Sequence, residues 1–170
     1  MKKLVFLILV ILILTGCNFL GDTPMSESQV ERFYYNSYQY LEIVATFLSE
    51  IDYNGETEAR KNENGDNILY QLYGNIWREK KIIRDETVNN AINNLQTEWY
   101  HRIYRWQNKV KFIRDTRGEW SRDGRFRTAV VYIIDGTQPK IYDALAQTYT
   151  PLSRENWFIY IYCDRCNRAS

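Results

Sequence analysis

One histidine and three cysteines are the only imidazole and thiolate metal ligands in the 170 residues. A zinc site takes about four ligands, usually two cysteine pairs or added histidines. A metal centre in this chain would have to recruit carboxylates such as Asp164. No Gly-x-Ser-x-Gly or His-Glu-x-x-His stretch occurs, so the sequence carries no nucleophile elbow and no zincin motif. His101 has Glu98 three residues before it and Arg105 four after. On a helix those are surface neighbours, which reads as a solvated polar face rather than a catalytic base. Carboxylates such as Glu119 beside Trp120 are plentiful, but nothing sets two of them at the roughly 5 to 9.5 Å that glycoside cleavage requires. No cofactor is implied. The longest apolar run, 4–14, falls short of the about 20 residues that a spanning helix needs.

Aromatic residues, in contrast, are abundant: 14 Tyr, 7 Phe and 5 Trp. Disordered chains are poor in these residues, so a folded body is expected, of a size that suits one domain.

The first residues form a unit of their own. Lys2 and Lys3 precede the apolar run, and Leu14-Thr15-Gly16-Cys17 follows it. A charged start, a short apolar core and small residues describe a secretory signal peptide. The tetrapeptide resembles the lipobox of bacterial lipoproteins. That resemblance covers the leader alone. It implies cleavage before Cys17 and a diacylglycerol group on the Cys17 thiol, usually with a further acyl chain such as palmitate on the new amino group. It also implies a cell-envelope address. Asn18 stands where an aspartate favours inner-membrane retention, so the outer membrane, facing the periplasm, is implied for a host with two membranes. A one-membrane host would display the protein on its outer face. The expected organisation is a signal peptide over 1–16, a lipidated tether over 17–25 and one mostly helical domain over 26–170.

Charge is unevenly spread. The chain carries a formal +1. Residues 22–66 hold ten acidic and three basic side chains, and residues 102–127 hold nine basic and three acidic. Either the two blocks neutralise each other inside the domain, or the basic one faces an acidic partner. The expectation is partial neutralisation, with some of Arg114, Arg117, Arg122, Arg125 and Arg127 left on an exposed loop as binding residues for anionic lipid, acidic glycan or an acidic protein. Arg102, Arg105 and Lys109 form a second basic set at helical steps. Export removes nucleic acid from the partner list.

The fold expected from periodicity is mainly α: an antiparallel helical hairpin or bundle with a small C-terminal β-hairpin or sheet, hence α+β. Val30, Phe33, Tyr34, Tyr38, Leu41, Ala45, Leu48 and Ile51 trace one helical face over 26–53, with Ser26 and Gln29 as a capping box. Residues 56–65 read as a loop. Asp66 caps a second helix with Ile68, Leu69, Leu72, Tyr73, Ile76 and Ile83. Val88, Ile92, Leu95, Trp99, Ile103, Trp106, Val110 and Ile113 predict one long helix over 85–114, uninterrupted by proline or glycine. After a loop, 126–134 and 157–162 read as strands, with a turn at Asp135-Gly136, a return strand at 140–142 and a short helix at 142–149. The competing reading has helices at 125–134 and 153–162. No internal repeat is visible.

Cys163-Asp164-Arg165-Cys166 has the spacing of a redox or metal motif. A thioredoxin-like site needs a βαβ unit around the pair, and few residues follow Cys166. A structural disulfide between Cys163 and Cys166 is expected, because exported compartments are oxidising. Two classes of function follow. The first is a non-catalytic interaction or accessory module, of the envelope assembly, exclusion or immunity type, with an envelope protein partner. The second is an envelope enzyme acting on glycan or lipid.

Overall fold

The computed structural model describes residues 27–53, 55–114, 126–137 and 148–163. The first helix, α1 (Glu27–Ser49), lies where the apolar stripe placed it. It buries Val30, Tyr34, Leu41, Val44, Ala45 and Leu48, each of the fully buried aliphatic chains worth about 1.5 to 3 kcal/mol. Its last turn has no basic residue of its own. Arg105 supplies the cation instead: Nη1 donates to the carbonyl of Leu48 at 3.2 Å and to that of Ile51. Both carbonyls lie at or just past the negative end of the helix dipole, where a cation is favoured.

The remaining elements overturn the expectation of a mainly helical bundle. They are β1 (Thr57–Lys61), β2 (Asn67–Tyr73), β3 (Ile76–Ile82), α2 (Glu86–Thr97), β4 (Tyr100–Trp106), β5 (Lys109–Arg114), β6 (Phe126–Ile133), β7 (Thr148–Pro151) and β8 (Trp157–Cys163). All eight strands join one sheet in the order β3-β2-β1-β4-β5-β6-β8-β7, and every neighbouring pair is antiparallel.

The helix expected over 85–114 is three elements. Asp85 caps α2, its Oδ1 accepting from the Val88 amide at 3.0 Å, whereas the cap expected from sequence is Asp66, for the preceding segment. The helix then stops at Thr97, and Trp99 takes a left-handed backbone with φ 70°. Beyond it the chain forms the β4–β5 hairpin around Gln107-Asn108, with Gln107 at φ 55°. The three- and four-residue spacing misleads because both sheet faces are occupied. Ile103, Arg105, Val110 and Phe112 share the helix side by register, while Tyr104, Trp106, Lys109 and Lys111 share the other. A strand buried on both sides loses its alternation.

The helix expected after Asp66 is the β2–β3 hairpin, turned at Gly74 with φ 60°. The expected loop over 56–65 contains β1, whose Thr57, Glu58 and Ala59 are buried in the middle of the sheet. The C-terminal strand readings fare better: β6 and β8 occupy those segments, and the turn after β6 has Gly136 at φ 69°. Thr148 and Tyr149 belong to β7 rather than to a helix. The return strand at 140–142 lies outside the described residues.

The order of elements also reveals a repeat. A helix followed by a three-stranded meander occurs twice, as α1-β1-β2-β3 and as α2-β4-β5-β6. The two units meet where β1 pairs with β4, through Thr57↔Arg105, Glu58↔Tyr104 and Ala59↔Ile103. Both helices contribute to one core cluster on one face of the sheet, with Ala59, Leu69, Ile103, Phe112, Val130, Trp157 and Ile159 beneath them. Among the described residues no helix is long and apolar enough to cross a membrane.

Candidate functional site

The face of the sheet turned away from the helices concentrates the polar chemistry. Its rows are set by register: Glu58 opposes Tyr104, which opposes Lys111, and Arg102 opposes Ile113. At its centre Tyr104, Ile113, Ala129, Val131, Ile133, Phe158 and Tyr160 form a second apolar cluster. Lys111 sits within this cluster, 8% exposed. Its Nζ lies 5.1 Å from the Tyr160 ring centroid, 5.3 Å from Trp106 and 5.7 Å from Tyr104. Burial, with Lys109 alongside, pushes the Lys111 ammonium down to about 8. It has no ion pair among the described residues, so the ring faces are what offset its desolvation, at about 0.5 to 2 kcal/mol per contact.

Other cations on this face also lie over rings. Arg102 is 4.5 Å from the Tyr104 centroid, Arg60 is 4.5 Å from Trp77 and 5.5 Å from Tyr70, and Lys109 is 5.3 Å from Tyr149. Two carboxylates interrupt the array, and arginine holds both. Glu58 Oε2 accepts from Arg60 Nη2 at 2.7 Å and from Arg102 Nε at 3.1 Å, and Glu56 Oε1 accepts from Arg102 Nη2 at 2.8 Å. Burial works against the Arg102 charge, but Glu58 and Glu56 outweigh it and hold the guanidinium above its ordinary range. The acidic and basic blocks of the sequence therefore meet here, strand to strand rather than helix to helix.

Beside this array the sheet splits. Pairing of β1 with β4 ends at Ala59↔Ile103, although β1 runs on to Lys61 and β4 begins at Tyr100. A register shift in β4 between Tyr100 and Arg102 accompanies the parting. The gap is a half-open cavity of about 350 Å³. Glu58, Arg60 and Lys61 line it from β1, Tyr100 and His101 from β4, and Gln96 and Trp99 from the end of α2. Trp99 is 44% exposed, so the ring expected in the core stands at the surface instead. His101 is exposed on a strand, not on a helix face between Glu98 and Arg105.

The residues singled out in sequence fall largely elsewhere. Arg114 closes β5 and is engaged: its Nε donates to the Glu98 carbonyl at 2.7 Å and its guanidinium lies 3.2 Å from the Phe33 ring centroid. Arg127 is placed by its backbone in β6, opposite Tyr162. Arg117, Arg122 and Arg125 lie outside the described residues, as do Cys17 and Cys166. Cys163 is the last residue of β8. Arg105 points away from Arg102 and Lys109, so the basic set expected on one helix face is divided between two sheet faces. Sequence reasoning missed Lys111 and the Glu56–Glu58–Arg102 group altogether. A signal existed in the run of aromatic and β-branched residues interleaved with cations over 100–114, which suits a strand pair better than a helix. No three His, Cys, Asp or Glu side chains gather as metal ligands among the described residues.

Comparison with known families finds one match, a prokaryotic membrane lipoprotein lipid attachment site over residues 1–18. The leader is thus a bacterial lipoprotein signal, and the chain is a membrane-anchored lipoprotein of the cell envelope. No curated protein and no solved structure matches the chain.

Proposed function

We propose that the protein is a non-catalytic interaction module, held on the envelope membrane by lipid on Cys17 and binding an envelope partner through the sheet face opposite its helices. The cation–aromatic array supports this reading. Each of Arg60, Arg102, Lys109 and Lys111 lies against a ring, and both carboxylates are committed to arginine. In such an arrangement guanidinium forks and ring edges recognise acidic and aromatic groups. Trp106, 45% exposed at the rim, offers a large anchor of the type that dominates binding energy at interfaces. Asn18 favours the outer membrane, periplasmic side, where two membranes exist. Arg114 and Arg127, at adjoining ends of β5 and β6, together with Arg117, Arg122 and Arg125 between them in sequence, add basic groups for an anionic lipid or glycan at the same membrane. Cys163 and Cys166 form a structural disulfide, which mass spectrometry of the non-reduced protein checks through the linked peptide; two free thiols would remove it.

The test uses the lipidated protein. Incubated with peptidoglycan and with phospholipid vesicles, it should release no product over hours. A photo-crosslinking residue at Trp106 should capture a discrete envelope protein in living cells, and one at Tyr35, exposed on α1, should not. Turnover of either polymer, or equal capture from both positions, overturns the proposal.

A further inference from the structure

Charge on the face away from the helices does not balance locally. Glu56 and Glu58 are taken up by Arg60 and Arg102. That leaves Lys109 and Lys111, two apart on β5 and turned to the same face, in no ion pair among the described residues. Lys111 is 8% exposed, and its ammonium meets the rings of Tyr104, Trp106 and Tyr160. Lys109 Nζ donates to the Tyr149 hydroxyl at 3.3 Å, and that ring stacks on Tyr160 at 4.4 Å. One group of rings, from β4, β7 and β8, therefore lines both ammonium groups. The arrangement is costly. A methionine at position 111 would fill a similar length of stem with no charge to strip of water. Ring faces offset part of that cost. Glu56 favours the charge only through space, because Arg102 holds it. A carboxylate brought into the same low-dielectric surroundings would offset the remainder.

We infer that Lys109 and Lys111 bind two carboxylates of an extended acidic segment of the envelope partner, with glutamate or aspartate at alternate positions. Successive side chains on one side of a strand stand roughly 6.5 to 7 Å apart, in the receptor and in an extended ligand alike. Alternate acids therefore meet the two lysines in register, and the residue between them turns outward. Adjacent acids point to opposite sides and reach one lysine only. Trp106, opposite Lys109 in the register and 45% exposed, gives the segment an apolar wall. A single phosphate group would leave one of the two lysines uncompensated. The inference rests on the reading of the protein as an interaction module and names the chemistry of its partner.

The experiment titrates the lipidated full chain, held in discs of neutral phosphatidylcholine, by calorimetry. The probes are short, end-blocked, threonine-rich peptides and glycerol phosphate, the soluble form of a lipid headgroup. One peptide carries two glutamates at alternate positions, a second carries them adjacent, and a third has glutamines in place of the alternate glutamates. The alternating acidic peptide should bind at least about tenfold more tightly than any other probe. Lys111→Met and Lys109→Met should each weaken it by about tenfold or more. Lys80→Met, exposed on β3 and carrying the same change of charge, should leave it unchanged. Circular dichroism checks that the variants are folded; should Lys111→Met unfold, the partly exposed Lys109 and the comparison of peptides decide. Absence of binding, equal binding of the adjacent or the glutamine peptide, tighter binding of glycerol phosphate, or folded Lys109 and Lys111 variants with unaltered affinity would each overturn the inference. A discrete crosslink at Trp106 beside any of those results would leave the interaction-module reading standing. Release of product from peptidoglycan or phospholipid would overturn that reading and leave the lysine pair standing.

Discussion

On the helix-covered face of the sheet the rings around Trp157 meet one another, whereas on the opposite face the rings around Lys111 and Arg102 meet a cation. Beneath α1, Trp157 packs against Tyr34 at 5.5 Å, Phe112 at 6.0 Å and Tyr132 at 5.0 Å between ring centroids. Across the sheet, Tyr104 is approached by both Arg102 and Lys111. The same residue types thus do two jobs, and what differs is the company that strand register gives them. Ring against ring fills volume and tolerates no gap. Ring against cation stabilises a charge that has lost water, and leaves it available to a ligand.

The largest test of this contrast is Phe112→Ala on the helix side. That ring is fully buried, and its loss should cost about 3 to 5 kcal/mol in chemical denaturation. A loss below about 1 kcal/mol would mean that the helix side is not the main core. Next is Glu58→Gln on the other face. The Glu58 side chain is 6% exposed and two half-exposed arginines depend on it, so about 1 to 3 kcal/mol should go, less than for a fully buried pair. An unchanged midpoint would make the array decorative.

Lys111→Met gives a smaller effect with a sign that depends on pH. The folded state holds this amine near 8, below the usual lysine value of 10.5. Between those values the unfolded chain binds the extra proton, so the Lys111 contribution to stability rises with pH from about 8 to about 10.5 and is most unfavourable below 8. The variant should be more stable than the parent at pH 7, and its advantage should shrink by pH 10. A gap that stays constant across that window would place Lys111 in water. The smallest effect is expected for Trp99→Gly. Loss of ring contacts and relief of the left-handed backbone oppose each other, leaving a change within about 1 kcal/mol. A loss of about 3 kcal/mol or more would return that ring to the core.

These two faces explain what the sequence disclosed and what it hid. α1 was legible because its buried residues recur at three- and four-residue steps, as Val30, Tyr34, Leu41, Ala45 and Leu48 do. The strands β6 and β8 were legible through local chemistry. The β4–β5 hairpin was not, since its turn is Gln107-Asn108, without the glycine that marks most two-residue turns. Nor was β1, where only Thr57 favours a strand and Glu, Ala, Arg and Lys follow it. It is a strand because partners on both sides pair with it and because Arg102, distant in sequence, neutralises Glu58. The cavity was hidden for the same reason: it arises where a long-range pairing stops, and no local pattern encodes that.

The packing of Tyr34 on Trp157 has a consequence for biogenesis. α1 rests on β8, the last strand among the described residues, and β1 waits for β4 before it has a second neighbour. Contacts so far apart in sequence form late and slowly. α1 finds its first partners in α2, β4, β5 and β6, and β8 completes a core that they have begun. In a chain delivered from its N-terminus, the β8 residues Trp157 and Ile159 are the last of the core beneath α1 to arrive.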